Sequence, residues 1–438
     1  MSVAVATSEA LVDRLTDLAA SFPGEPDFVA ELRRRGRARF AKVGLPTPRQ
    51  EEWRFTNLKR LLDLPVEPAP VATADVAPWR LADAHVLVLV NGRFDADSSV
   101  LGELPDGVTV MPLARALVER QQELESVLGR HVQIEDHPFA ALNAASFVDG
   151  AYIHVDRGTV VERPIQVLHV AVGGDQPILI APRVLMCADE TAELTVVEQY
   201  VGTGRDTLTI PVTELQIAPS AVVHHVRLQE EDRSASHIGL QQAWLDRDGH
   251  LESTAVNLGG SLFRADVDAV LAGPGGHATL DGLYLVEAEQ HSDTQMRVRH
   301  AAPHCTSHEL YKGILDGAAR AVFNGRIVVD PGAQKTDAIQ SNRNLLLSDG
   351  ALAFSNPQLE IFADDVRCTH GSTVGRLDEN AVFYLRSRGL DRAAAESLLT
   401  YAFASEIVQK IPVEAVRERL ERFLFERLPQ GEVVREAF

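Results

Sequence analysis

Cysteine is scarce in this chain: Cys187, Cys305 and Cys368 are the three among 438 residues. They make no CxxC pair and no even-numbered framework, which excludes a disulfide-stapled fold and fits a reducing, cytoplasmic compartment. Basic residues are also short. Lys and Arg number 42 against 62 Asp and Glu, a formal net charge of −20. Such a surface repels nucleic-acid phosphates and anionic lipid heads. No apolar run reaches the roughly 18 residues of a membrane-spanning helix. The opening MSVAVATSEALVDRLTDL carries acids and no basic stretch before an apolar core, unlike a secretory signal. There is no GxxxxGK[ST] loop, so ATP is not held here in the Walker manner, and GxSxG and HExxH are missing too.

What is present divides by texture. The hydrophobic fraction of 45% is ordinary for a globular protein, and 438 residues exceed one average domain. Leu11, Leu15, Leu18 and Phe22 recur at helical spacing, with Ser8 as a candidate N-cap and Pro23-Gly24 as the stop. A second helical segment over residues 26–43 carries Arg33, Arg34, Arg35, Arg37, Arg39 and Lys42. This basic island reads either as a solvated face or as a contact with an acidic partner or the chain's own acidic body. GLPTPRQEEWRFTNLKRL then suggests an extended arm anchored by Trp53 and Phe55, followed by a Pro/Ala/Val-rich linker. Residues 1–80 are therefore a helical domain with arm and linker.

From residue 81 the pattern turns to strands, with a more helical interval over 110–145. Between 151 and 374 strand follows strand (AYIHV, PIQVLHVAV, ELTVVEQYV, AVVHHVRL), punctuated by Asp-Gly and Pro-Gly turns. Gly317, Gly332 and Gly350 recur at 15 and 18 residues. That drifting interval suits the coils of a β-helix better than propeller blades, which take about 40–50 residues each. The expected fold is mainly β: a β-solenoid core over residues 81–380 with α-helical ends as caps. The last segment, 381–438, reads as an amphipathic helical hairpin. Leu398, Leu399, Ala402, Phe403, Ile407 and Ile411 line one helix, Pro412 breaks it, and Val416, Leu420, Phe423 and Leu424 line the next. It serves either as a cap or as a platform that recruits another protein.

Chemistry-bearing residues are few. Within EIFADDVRCTHGSTVGRL, Cys368 and His370 stand two apart, so in a strand they share one face, with Arg367 and Thr369 on the other. A thiol beside an imidazole holds a metal, forms a nucleophile–base pair, or packs inertly. Two donors do not close a four-coordinate site, so a metal needs others, from Asp364 or Asp365 or from a partner. His304 and His308 share a strand face but stand about 13 Å apart by strand rise, which suits cross-coil contacts. His224 and His225 point to opposite faces. His277, His291 and His300 read as isolated structural side chains.

Two longer runs carry a resemblance. NLLLSDGALAFSNPQLEIFADDVRCTHGSTVGRLDENAVFYLRSRGL and the upstream HELYKGILDGAARAVFNGRIVV resemble the C-terminal core of the SufB/SufD family of iron–sulfur cluster assembly proteins. The arm and the CTHG sequence are similar to the SufD branch. The resemblance implies a right-handed β-helix with helical ends and a non-enzymatic scaffold in a SufB–SufC–SufD complex. Pairing with SufB would run through β-helix edges. The C-terminal helices, with Leu398, Leu399, Phe403, Ile407 and Phe423, would dock the ATPase SufC. Cys368 and His370 would meet transient iron or a nascent iron–sulfur cluster at the SufB junction, with nucleotide bound by SufC alone. Whether the isolated chain forms a homodimer, and through which edge, is left open by the sequence. Gly371 stands where SufB has an acid, which leaves a full cluster site on this subunit alone in doubt. The competing reading is a β-helical polysaccharide hydrolase or lyase, which needs clustered carboxylates on one face; a Cys-His acyl-transfer enzyme is a third.

Overall fold

The computed structural model describes residues 11–18, 22, 24–62, 64–174, 176–204 and 206–435. Ser8 and Pro23 lie outside them. Parallel strands alternate between two sheets. One has twelve strands and runs from Val108–Pro112 to Leu352–Ile361; the other has ten and runs from Arg93–Phe94 to Arg367–Gly375. The aligned positions Val222, His250, His277, Thr306, Asp337 and Arg367 advance by 28, 27, 29, 31 and 30 residues. One coil therefore takes one strand from each sheet, and the result is a β-solenoid of about eight turns.

The glycine interval read from the sequence is half a coil. Gly317 and Gly350 occupy the same corner one coil apart, and a Cβ on Gly350 would stand 2.6 Å from the Gly317 carbonyl oxygen. Gly317 also needs its φ of +64°, which a side chain disfavours.

Inward positions alternate along every strand and stack from coil to coil, making one long core from Leu87 to Ala351. Large and small residues interlock there. Tyr311 lies over Gly282 and Tyr284 over Gly313, where an added Cβ would come within 2.2 and 2.0 Å of the rings.

The N-terminal helices pack on the flank of the twelve-stranded sheet. Helix Asp27–Val43 approaches helix Pro138–Ser146 so closely that a Cβ on Gly36 would meet the Ala141 carbonyl at 2.5 Å. The basic island mostly answers acids of its own chain. Arg33 is buried between Glu25 and the Phe147 ring, Arg35 pairs with Glu135 and Arg37 with Asp17. The arm is anchored by its aromatics but is not extended: Glu51–Trp53 forms a short 3-10 turn, Trp53 is buried and Phe55 stacks on Phe354. The following linker contributes Glu67–Pro68 as a strand beside Ile178–Ile180.

The C-terminal hairpin, Arg392–Val408 and Glu414–Arg427, does not cap the solenoid. It lies along the ten-stranded sheet, its apolar face on Val226, Leu228, Val256, Leu283 and Ile314. Asp391 caps the first helix through the Ala394 amide, 2.8 Å away. Ion pairs fix the hairpin: Lys312 with Glu406, Lys410 with Asp281 at 2.9 Å and Arg419 with Glu230 at 3.1 Å. The flank is favoured because the outer ends of these strands are apolar, while the last coil is not sealed by any helix among the described residues. Strands Leu352–Ile361 and Arg367–Gly375 end their sheets, and Leu352, Ile361, Phe362 and Val374 are exposed there.

Candidate functional site

Cys368 and His370 stand on that last strand, one face, two residues apart. Their register partners in the preceding coil are Ala338 and Gln340, both buried in the solenoid interior. The pair therefore continues two inward-facing rows at the point where the interior opens. Cys368 is half-buried against Ala338, Ala363 and Ile327, and burial with nearby Asp337 pushes its thiol up. His370 is exposed, as are Arg367 and Thr369 on the opposite face. The other two thiols are sealed: Cys305 is fully buried against the Gly273 carbonyl at 3.3 Å, and Cys187 is 9% exposed. Asp365 is committed to an ion pair with Lys335, and Asp364 is exposed. Cys368 and His370 thus supply two donors with no third converging on them among the described residues.

His225 points inward and His224 outward, the alternation expected of neighbours in a strand. His304 and His308 do not share a strand. His304 takes φ +63° in the turn, and the strand begins at Thr306. His308 makes a cross-coil ring contact with His277, which is not isolated but stacks on His250 at 4.5 Å. His300 is buried with Ser307, and His291 meets Thr56.

Sequence reasoning missed the polar rows inside the solenoid. Glu198 is fully buried between His225 at 3.0 Å, Thr213 and Tyr200. Burial alone would raise its titration, but His225 pulls it down to about 2. Glu231 answers His237 at 2.7 Å in the same way. Nearer the open end, Glu309 accepts from Ser307 and Gln340 with no cation beside it, and burial pushes it up to about 7. The signal was available: in VVHHVRLQE every second residue after Val223 is polar (His225, Arg227, Gln229), so the inward set is not purely apolar.

A groove of about 350 Å³ runs between the arm and the twelve-stranded sheet, and Asp136, Asp266 and Asp268 line it. These are not a free carboxylate pair for glycoside chemistry. Asp266 is bound by Arg264 at 2.7 Å and Asp268 by Arg297 at 2.8 Å. Burial would raise Asp268, but His137 and Arg297 hold it below the usual carboxylate range, the wrong direction for a general acid.

Five side chains of the helical end were expected to dock an ATPase. Ile407 is fully buried against the solenoid, while Leu398, Phe403 and Phe423 pack around the same cluster and Leu399 is half-buried. The exposed aromatics of this end are Phe383 and Tyr384 on helix Glu379–Arg386.

The sequence comparisons place this β-solenoid in one family. Residues 170–403 match the SufBD core domain of SUF-system iron–sulfur cluster assembly, and residues 22–167 match the SufBD N-terminal region. The chain belongs to the SufB/SufD family of the SUF iron–sulfur cluster assembly system. It is 32% identical over 416 residues to an iron–sulfur cluster assembly SufBD family protein of Synechocystis, covering 92% of each chain. It is 30% identical over 399 residues to the SufD of Escherichia coli, with 89% of this chain and 91% of the relative covered, and 26% identical over 410 residues to the SufD of Bacillus subtilis, covering 90% and 93%. No helix among the described residues is long and apolar enough to cross a membrane.

Proposed function

We propose that this chain is a non-enzymatic scaffold subunit of a cytoplasmic SufB–SufC–SufD complex, handling iron or a nascent iron–sulfur cluster as cargo. One observation carries the reading: Cys368 and His370 stand together on the terminal strand, where the sheets have unpaired edges. An unpaired edge with exposed apolar side chains is a template for another chain's strand. A second subunit added there brings its own donors beside the thiol and imidazole, which completes a coordination sphere that two donors leave open. SufB is the partner proposed for this edge, with a homodimer as the form of the isolated chain. The ATPase SufC is assigned to the C-terminal helices. Their outward surface, with Phe383 and Tyr384, suits contact better than Ile407, which serves the hairpin's own packing.

The test is elemental analysis of iron and sulfide in the co-purified complex for wild type, Cys368→Ala and His370→Ala. Reduced loading with the complex intact is expected in both variants. Unchanged loading in both refutes the site.

A further inference from the structure

We propose that His154, Asp156 and Asp189 form a second metal site, for a divalent first-row transition-metal ion, on the solenoid flank near its N-terminal end. It does not depend on the function proposed for Cys368 and His370. Strands Gly150–Val155 and Arg183–Ala188 are parallel neighbours, with Val155 opposite Ala188. The next residue of each is an aspartate, so Asp156 and Asp189 leave their strands side by side at one corner, joined by the Asp189 amide donating to the Val155 carbonyl at 3.0 Å. His154 reaches the same corner. Its Nε2 lies 3.3 Å from Asp189 and its Nδ1 3.6 Å from Asp156. One donor atom from each of the three side chains lies within 4.8 Å of the other two, the one such group of three among the described residues.

Three further observations point to a ligand. The Nδ1 of His154 is shielded from solvent and has no hydrogen-bond partner. Neither aspartate has a Lys or Arg ion-pair partner among the described residues, so only the imidazole faces their charge. A carboxylate that orients the ring stands beside its other nitrogen: Glu123 lies 3.6 Å from the same Nδ1, held by the Tyr152 hydroxyl and by Arg120 at 3.3 Å. Behind them, Cys187 is the register partner of His154, 9% exposed, and its thiol makes no hydrogen bond among the described residues.

Imidazole with carboxylates suits Zn²⁺, Mn²⁺ or Fe²⁺, whereas Mg²⁺ and Ca²⁺ favour oxygen donors alone. Held by Nε2 with the two aspartates, a divalent ion would offset both carboxylates and leave the buried Nδ1 to donate to Glu123.

Full-length protein carrying Cys368→Ala and His370→Ala, which removes the other candidate donors, is titrated with Zn²⁺ by calorimetry and with Mn²⁺ by electron paramagnetic resonance. One equivalent of each ion is expected to bind. Adding His154→Ala should weaken binding by at least about 100-fold, and Asp189→Asn by at least about tenfold. Absence of binding in the starting variant, or affinity unchanged by His154→Ala, overturns the site. Full displacement of Zn²⁺ by equimolar Mg²⁺ also overturns it, because the imidazole would then contribute nothing. Should His154→Ala lose its β circular dichroism, Asp156→Asn decides: its side chain is 60% exposed, its fold is expected intact, and unchanged Zn²⁺ affinity there refutes the proposal.

Discussion

Arg264→Ala should release the N-terminal arm from the solenoid. The guanidinium is 1% exposed and ties three things together. It pairs with Asp266 and Asp293 at 2.7 Å each, donates to the Glu52 carbonyl at 2.8 Å, and stacks on Trp53 with 3.7 Å to the ring centroid. Asp293 is equally buried and, among the described residues, keeps only Thr56 and Gln295 as donors once the arginine is gone. Breaking a buried pair by removing one partner costs about 3–5 kcal/mol, chiefly because the remaining charge is stranded. The cation–π contact adds on the order of 1–2 kcal/mol when desolvated, though the two are not additive. At 1.4 kcal/mol per tenfold, about 3–5 kcal/mol becomes a roughly 100- to 4,000-fold larger population with the arm detached. Limited trypsin digestion reads that population at Arg54, Lys59 and Arg60 when reclosing outpaces cleavage. An increase below tenfold refutes the reasoning. Arg264→Leu combined with Asp293→Leu removes both charges, so it should be cleaved more slowly than Arg264→Leu alone; equal rates would show that the stranded carboxylate is not what costs the energy.

Three other outcomes follow from the interior and the thiols. Glu309 is buried and titrates near 7, above its unfolded value of about 4.3, so the folded state holds a proton that the unfolded state has lost between those pH values. Its contribution to stability falls as pH rises from about 4.3 to 7, by on the order of 3 kcal/mol; Glu309→Gln should therefore raise the denaturation midpoint at pH 8 and leave it nearly unchanged at pH 4, and an equal effect at both would count against this. Gly282→Ala puts a methyl within 2.2 Å of the Tyr311 ring, a rigid neighbour, and should cost about 1–3 kcal/mol by overpacking, read as a lowered melting temperature. Of the three cysteines, Cys368 alone should react with a disulfide reagent in the native state, since Cys187 and Cys305 are buried; two or more fast thiols would contradict the packing described.

The sequence made the solenoid legible because inward residues alternate over so many strands, and turn signals mark where they end. It misjudged the coil length because the glycines at 317, 332 and 350 sit at alternate corners, and spacing along a chain cannot say which corners are stacked. It gave Cys368 and His370 a common face, since period-two geometry needs only the strand. It could not place the C-terminal hairpin, whose apolar stripe fits a solenoid end or a solenoid flank equally well. The flank won because Val226, Val256, Leu283 and Ile314 present apolar outer positions on four successive coils of the same sheet, which only the three-dimensional stacking brings together. The corner of His154, Asp156 and Asp189 was invisible for the same reason: thirty-odd residues separate its aspartates, and only the register of two strands makes them neighbours.

The two ends of the solenoid are unlike. At the beginning, each sheet finishes on a short antiparallel strand, Arg93–Phe94 in one and Val108–Pro112 in the other. At the finish, both sheets stop on bare ten- and nine-residue strands. Head-to-tail joining of copies would need the finish of one to match the beginning of the next, and an opposed, two-residue strand is a poor receiver. Two finishes can meet each other, and once they do no receptive border remains. Association through these edges would therefore stop at a pair, so the bare strands that could template a fibre would instead close on each other.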